Sequence, residues 1–338
     1  MGPKVLVTGS TGQIGSELVP ALRGKYGPEN VVAGILPGLQ AADLGPGPEE
    51  YFDVTDRDSL LSVLKKHRID TVYHLAAILS AVAESKPDLA WNVNVQGLRN
   101  VLEGAVKTGV SRVFWPSSMA VFGLGSPRKS APQDAPLTPT SLYGITKVAG
   151  ELLCNYYFVT HGLDTRCVRY PGLISSKTKP GGGTTDYAVE MFEAAVRSGR
   201  YTSFLSEKTT LPMMYMPDAI AAAVTITEAE PARVKTHTGY NLSAMSFSPG
   251  QLADAIRKRL PGFQCAFSPD SRQRIADSWP ESIDDLRARK DWGWSPAYDL
   301  PSMADDMILK LAERLPTAEK SRLDSVLASL RRSTIARP

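Results

Sequence analysis

Hydrophobic positions along the first half of the chain follow two alternating rhythms. Short apolar, β-branched runs recur as "KVLVTGS", "NVVAGI", "YFDV", "DTVYHLAA", "RVFWPSS" and "DTRCVRYP". Such short runs, bounded by turn residues, predict buried strands. Between them lie stretches of helical spacing. "GQIGSELVPALRG" sets Ile14, Leu18 and Leu22 on one face, with Gly24 as its stop. "TDRDSLLSVLKKH" opens on a capping Thr55 or Asp56, "DLAWNVNVQGLRNVLEGAVKTG" reads as one long helix, and "SLYGITKVAGELL" begins another.

Strands alternating with helices of this length predict right-handed βαβ crossovers. The expected class is α/β, with a Rossmann-type doubly wound parallel sheet. The rhythm holds from Lys4 to about Gly172 and then changes. A loop "SSKTKPGGGTTD" leads to helices near 187–198, 217–228 and 249–260, with strands "GYNLS" and "FQCAFSP" between them. The expected organisation is a dinucleotide-binding unit over 1–175 and a smaller C-terminal substrate-binding lobe over 176–316, some of whose chain returns to the sheet. A tail over 317–338 should hold a short surface helix and a frayed basic end. No internal repeat is visible.

Composition narrows the functions. The 338 residues carry a net charge of +3 with the basic residues spread along the chain, which argues against a nucleic-acid partner. No apolar run approaches the ~18 residues of a membrane span. The first strand begins almost at Met1, which leaves no room for a leader, so the cytoplasm is the expected location. Cys154, Cys167 and Cys265 are odd in number and sit in apolar or helical contexts, as reduced thiols would. His67, His74, His161 and His237 have no metal-ligand spacing, so no metal is expected.

"TGSTGQIG" sets Gly9, Gly12 and Gly15 between the first strand and the first helix. Without Cβ atoms the chain turns tightly, and a pyrophosphate can approach the helix N-terminus. Gln13 and Ile14, inside the turn, join the candidate cofactor contacts. A packing turn is the alternative, but after the first strand of a parallel sheet dinucleotide binding is the better reading. The acid that would take the ribose at the end of strand two is missing: Gly34 and Ile35 stand there, with no arginine nearby for a 2′-phosphate. NAD is therefore expected over NADP. Asp53 and Val54 join the candidate cofactor contacts, with Asp53 either hydrogen-bonding the adenine or capping a helix.

Tyr143 and Lys147, at i and i+4, share a helix face, and Ser117 and Ser118 end the fifth strand at the ligand-binding edge. Oxidising an alcohol needs a base for the hydroxyl proton while hydride leaves carbon. A phenol, with an ordinary pKa of ~10, is a poor base until an adjacent ammonium and a positive nicotinamide ring together favour phenolate. A serine hydroxyl would orient the substrate oxygen. A lone Y-x-x-x-K would read as core packing plus a surface charge, but the glycine turn and the paired serines weigh against that.

The glycine turn, "HLAA" at 74–77, "SSMAVFG" at 117–123 and "YGITK" at 143–147 together resemble the extended short-chain dehydrogenase/reductases, relatives of the NAD-dependent epimerases and dehydratases. The resemblance covers about residues 4–310. It implies Tyr143 as base, Lys147 as its partner and ribose anchor, and Ser118 as the serine, with Ser117 still open. It implies further that Leu75, Ala76 and Ala77 line the cofactor, that Asn94 orients, and that Pro171 and Leu173 meet the nicotinamide. "RYPGLIS", "GGGTTDYAVEMF" and "RQRIADSWPESIDDLRARKDWGW" resemble one branch, the short-chain L-threonine 3-dehydrogenases. That branch implies oxidation of the threonine C3 hydroxyl to 2-amino-3-ketobutyrate. Ser80, Thr184, Thr185 and Asp186 are the candidate contacts to this small zwitterion. Gly181–Gly183 either let the loop close or form a plain connector. Trp279, Trp292 and Trp294 read as core.

A UDP-sugar epimerase or dehydratase is the alternative enzyme, although Arg257, Arg272 and Arg274 suggest no diphosphate clamp. A cofactor-sensing binding protein is the alternative of another class, and an intact Ser118, Tyr143 and Lys147 weighs against it. The resemblance also implies a homodimer through the helices carrying 91–106 and 143–158. Eukaryotic members of the resembled family work in mitochondria, which makes the matrix a second expected location.

Overall fold

The computed structural model describes residues 2–40, 43–179, 181–316, 320 and 323–335. Strand β1 (Val5–Thr8) is buried along its whole length. A strand covered on both faces needs helices on both sides, which crossover connections supply. They follow as α1 (Gly15–Tyr26), β2 (Val31–Ile35), β3 (Glu49–Tyr51), α2 (Arg57–Lys66), β4 (Thr71–His74), α3 (Ser80–Ser85), α4 (Pro87–Trp91), α5 (Leu98–Thr108), β5 (Arg112–Ser118), α6 (Leu142–His161) and β6 (Asp164–Tyr170). The second half contains β7 (Gly172–Ile174), α7 (Tyr187–Arg197), β8 (Arg200–Ser203), β9 (Leu211–Tyr215) and α8 (Met216–Glu228). It continues through β10 (Tyr240–Asn241), β11 (Met245–Phe247), α9 (Pro249–Arg257), β12 (Gln264–Phe267), α10 (Arg272–Asp277), α11 (Leu286–Trp292), α12 (Leu300–Glu313) and α13 (Asp324–Ile335).

Seven strands form one parallel sheet in the order β10-β6-β5-β4-β1-β2-β3, the Rossmann-type doubly wound sheet that the alternating pattern predicts. The register sets Thr8 beside Gly34 and His74 at the carboxyl edge. Strand order reverses between β1 and β4, and there the edge opens into a crevice. Leu18, Val19 and Leu22 of α1 and Ala219, Ala222 and Ile226 of α8 cover one face of the sheet. Helices α2, α5 and α6 cover the other through Leu60, Leu64, Val101, Leu102 and Cys154. A separate core joins α7, α9 and α12, and Leu323 with Leu327 and Leu330 of α13 packs into it. Those leucines tie the expected tail helix down, while the last residues of the expected frayed end, 336–338, lie outside the described residues. Among the described residues no helix is long and apolar enough to cross a membrane.

The elements differ from the sequence reading in three places. Helix α1 runs through Gly24 and stops at Gly27, whose φ is +92° and which Pro28 follows. One exposed glycine costs a helix about 1 kcal/mol, which the buried Leu18–Val19–Leu22 face outweighs. Strand β3 covers Glu49–Tyr51 rather than Tyr51–Val54, because Phe52 and Val54 turn into the core. The long helix after β4 is interrupted by a π-helical turn at Asn92–Gly97, a feature that sequence periodicity does not reveal. Cys154 and Cys167 are buried free thiols and Cys265 is half-buried, as expected.

Candidate active site

The crevice begins at the turn between β1 and α1. Gly9 has φ +68°, and a Cβ there would meet the Ala76 amide. A Cβ on Gly15 would overlap the Gly9 carbonyl oxygen and crowd Ser10, so the turn closes only with glycine at both positions. Ser10 N–H donates to Gly34 O and its hydroxyl to Val7 O, which fixes the turn on the strand ends. The Gln13 amide nitrogen is buried without a hydrogen-bond partner, and Gly9, Gly12, Gln13, Ile14 and Gly15 line the crevice. A backbone cradle at a helix N-terminus plus an unpaired donor fits a pyrophosphate.

The next wall follows β4. Thr8 Oγ1 lies 2.8 Å from His74 Nδ1 and accepts the Leu75 N–H at 3.2 Å, which turns the chain so that Leu75, Ala77, Leu79 and Ser80 line the crevice. His74 is fully enclosed; burial, then the Lys147 ammonium, pushes its pKa down to about 3, so the ring is neutral. Asn94 is outside the lining. Its Oδ1 accepts Ile78 N–H at 2.7 Å, and its Nδ2 donates to Ile78 O and to Thr146 Oγ1, both at 3.1 Å. Carried by the π-helical turn, Asn94 pins the wall from behind. Ala76 is also outside the lining, behind Gly9. Asp53 accepts Thr55 N–H at 2.8 Å in a local turn, and Val54 is packed against Gly97. Neither Asp53 nor Val54 lines the crevice, so of the two sequence readings of Asp53 the local-turn role is the one its hydrogen bond fits.

Strand β5 and helix α6 meet at the crevice floor. Helix α6 starts on Ser141, whose side chain accepts Gly144 N–H. Gly150 sets the helix against Trp115, whose ring a Cβ would overlap. That closeness brings Lys147 Nζ to Pro116 O at 2.6 Å and 4.5 Å above the Trp115 ring. The Ser118 hydroxyl sits near enough to the Tyr143 phenol to lower its pKa, and its Oγ accepts Ala120 N–H at 3.2 Å, whereas Ser117 Oγ donates to Glu151 Oε1 at 2.6 Å. The geometry thus separates the two serines: Ser118 faces the phenol, and Ser117 is committed to a buried carboxylate.

Lys147 by itself does not lower the phenol; the expectation joins its ammonium to a positive nicotinamide ring. Burial pushes Tyr143 up to about 12, and the Ser118 hydroxyl offsets this only in part. Burial lowers Lys147 to about 8, against the nearby Cys154, Cys167 and Glu151. The ammonium is 5.5 Å from the centre of the Tyr143 ring because the Pro116 carbonyl and the Trp115 face hold it. Ionising the phenol near neutrality therefore requires positive charge beyond Lys147.

The far wall comes from β7 and the loop after it. Pro171, Gly172 and Leu173 border the crevice, and Gly183, Thr184, Thr185 and Asp186 close over it. Asp186 Oδ2 accepts Gly182 N–H at 2.8 Å and Gly183 N–H at 2.6 Å, which holds the glycine run in place. Burial raises the Asp186 pKa, and those amides oppose the rise. The Thr184 hydroxyl is buried without a partner. Pro116, Met119, Leu79, Tyr170 and Trp279 also line the crevice, and the sequence reading did not select them. Trp279 was expected in the core and serves both places. The crevice has a cavity volume of about 220 Å³ and is open to solvent. Lys147 is the sole cation among the described residues lining it.

Comparison with known proteins gives a consistent result. The profile of the NAD dependent epimerase/dehydratase family matches residues 5–242. An uncharacterized epimerase/dehydratase of Staphylococcus haemolyticus is 48% identical over 313 residues, 92% of this chain and 98% of the relative. A solved GalE-like L-threonine dehydrogenase from Cupriavidus necator, in its holo form, is 51% identical with a TM-score of 0.88. The match covers 91% of this chain and 100% of that one. A monomeric L-threonine 3-dehydrogenase from a metagenome database is 48% identical, with a TM-score of 0.87, over 91% of this chain and 98% of that one.

Proposed function

Because the chain belongs to the NAD-dependent epimerase/dehydratase family and is an NAD-dependent oxidoreductase, we propose that it is an L-threonine 3-dehydrogenase. The reaction converts L-threonine and NAD⁺ to 2-amino-3-ketobutyrate, NADH and a proton. The observation that carries this reading is the crevice itself. Ser118, Tyr143 and Lys147 meet at its floor, and the single cationic side chain among its described lining residues suits a small zwitterion better than a nucleoside diphosphate. The threonine dehydrogenase structures near 50% identity over nine-tenths of the chain support the same substrate.

The Gly9–Gly15 turn would hold the pyrophosphate of NAD, which would supply the hydride acceptor and a cationic ring favouring the phenolate. Tyr143 then takes the C3 hydroxyl proton, and Ser118 holds that oxygen. Lys147 adds fixed positive charge from its seat on Pro116 O. Ser80 and the unpartnered Thr184 hydroxyl serve the substrate carboxylate, while Thr185 and Asp186 shape the wall that excludes water. Asn94 acts through Ile78 rather than by touching the cofactor.

The reading includes a homodimer. Ile145, Leu152, Tyr156 and Val159 are exposed along one side of α6, beside exposed Leu89 and Trp91 of α4. An apolar stripe of this kind is covered well by its own copy across a two-fold. Sedimentation velocity at micromolar protein tests it: a monomer, the state named for the metagenome neighbour, would refute the dimer without touching the chemistry.

The deciding assay follows absorbance of NADH with NAD⁺ and L-threonine, beside NADP⁺, D-threonine and UDP-sugars. Turnover with NAD⁺ and L-threonine alone is expected, and Tyr143→Phe should lose nearly all of it while still binding NADH. Silence with threonine removes the substrate. Near-normal turnover by Tyr143→Phe removes the mechanism.

A further inference from the structure

Helix α6 grips three successive residues of the β5 edge with three side chains one turn apart. Tyr143 stands beside the Ser118 hydroxyl, which lowers its pKa, Lys147 donates to the Pro116 carbonyl, and Glu151 accepts from the Ser117 hydroxyl. Positions 143, 147 and 151 share one helical face, so the three contacts form a ladder along one seam. Two of its rungs belong to the reaction just described. The third has no part in it, yet it is built with care.

Glu151 is 1% exposed, and a buried carboxylate is costly unless paired and hydrogen-bonded. Arg169 of β6 supplies both requirements in a two-pronged contact, Nε to Oε1 and Nη2 to Oε2, each 2.8 Å. The Arg169 fork is itself seated, because Nη1 donates to Gln133 O at 2.9 Å and to Asn241 Oδ1 at 3.1 Å. Gly239 leaves the room, since a Cβ there would press on Glu151 Oε1. The result is a rigid anchor in which Oε1 has one acceptor site left for the Ser117 hydroxyl. A buried pair of this kind contributes little net stability compared with apolar packing. What it does supply is a fixed point one residue from Ser118.

We propose that Glu151 is a positioning residue of the reaction: through the Ser117 hydroxyl it fixes the end of β5 and so holds Ser118 at the distance Tyr143 requires. The inference rests on Ser118 and Tyr143 acting as proposed above, but not on which alcohol is oxidised. Glu151 touches neither substrate nor cofactor. It acts only through Ser117, which accounts for a serine where an apolar residue would pack as well.

Glu151→Gln strands the Arg169 charge and can fail to fold, so Ser117→Ala is the primary test: it removes the rung and leaves the ion pair intact. Misplacing a reacting group by a fraction of an ångström to one ångström costs about 10- to 100-fold. Ser117→Ala should therefore lower kcat by about that factor, with KM and NADH affinity within about twofold of the parent. Ser117→Thr, which keeps the hydroxyl, should recover most of the loss. Ser118→Ala should fall by about 1,000-fold, as loss of an oxygen-holding donor does. An unchanged kcat in Ser117→Ala overturns the proposal, as does a loss equal to that of Ser118→Ala, which would make Ser117 the reacting serine. Hydrogen–deuterium exchange of residues 116–121 with NADH bound gives a readout that needs no substrate. Faster exchange in Ser117→Ala is expected, and unchanged exchange overturns the proposal even if the parent protein proves inactive toward threonine. Parent inactivity with faster exchange would instead remove the threonine reading and leave the anchor standing.

Discussion

Lys147 offers a test in which stability and turnover should move in opposite directions. Its ammonium is buried, and desolvation lowers its pKa from 10.5 to about 8. At neutral pH the folded protein therefore carries a charged group at a disadvantage of about 3 kcal/mol relative to the unfolded chain. The sign follows from proton binding. Between pH 8 and 10.5 the unfolded lysine holds a proton that the folded one has released, so stability must rise with pH through that window. Between pH 7.0 and 9.5 about 2 kcal/mol of the disadvantage should be recovered. Lys147→Met fills similar space without a charge, and it loses the bond to Pro116 O, which costs about 1 kcal/mol. Urea unfolding of both proteins at the two pH values isolates the effect as a difference of differences. The parent should gain about 2 kcal/mol more than the variant on going to pH 9.5, and the variant should be at least as stable at pH 7.0. Its turnover should fall by about 100-fold or more. Parallel pH curves for the two proteins would refute the claim that the active site holds a destabilising charge for its chemistry.

Three further outcomes are expected. Gly15→Ala should weaken NADH binding by about 100-fold and lower Tm, because the new methyl group meets backbone and not a movable side chain; a normal Kd by calorimetry would refute the cradle. His74, neutral in the fold down to about pH 3, should make the protein lose stability as pH falls below 6.5, since only the unfolded ring takes up a proton there. By pH 5 the parent should have lost about 2 kcal/mol more than His74→Asn, and equal losses would show that the ring is not buried neutral. At the adenosine end, Leu36→Asp, on an exposed position just past Ile35, should tighten NADH by about tenfold and weaken NADPH; unchanged affinities would place the ribose elsewhere.

The parallel sheet was legible because each of its central strands is buried on both faces and announces itself as a short apolar run. Edges and ends were less so. Tyr51-Phe52-Asp53-Val54 has strand composition, but Phe52 and Val54 contribute their apolar side chains to the core while the pairing to β2 is made by Glu49–Tyr51. Burial and strand pairing look alike in sequence when only three residues are involved. Gly24 shows the same limit for helices. Glycine stops a helix where the chain needs positive φ, and that need arises at Gly27, not at Gly24. The π-helical turn is invisible to any periodic reading, because the residues around it keep an ordinary helical pattern.

Within the site, sequence spacing brought out Tyr143, Lys147 and the serine pair, which the structure places together in the crevice, and missed the groups that hold them. Tyr143, Lys147 and the serine pair stand out because a phenol and an ammonium on one face are unusual. Trp115, Pro116 and Glu151 do not, since a tryptophan and a proline in a strand or a glutamate on a helix have ordinary readings. Yet these set the electrostatics: the Pro116 carbonyl and the Trp115 ring hold the ammonium, and burial pushes Tyr143 up. A residue's chemistry in a site depends on its competing partners, and those come from other strands and loops. The same logic explains Asn94. Its side chain is spent on Ile78 and Thr146, so it shapes the wall of the crevice without entering it. Motif spacing therefore points to the groups that meet in the crevice, while the direction of their pKa shifts has to be derived from packing.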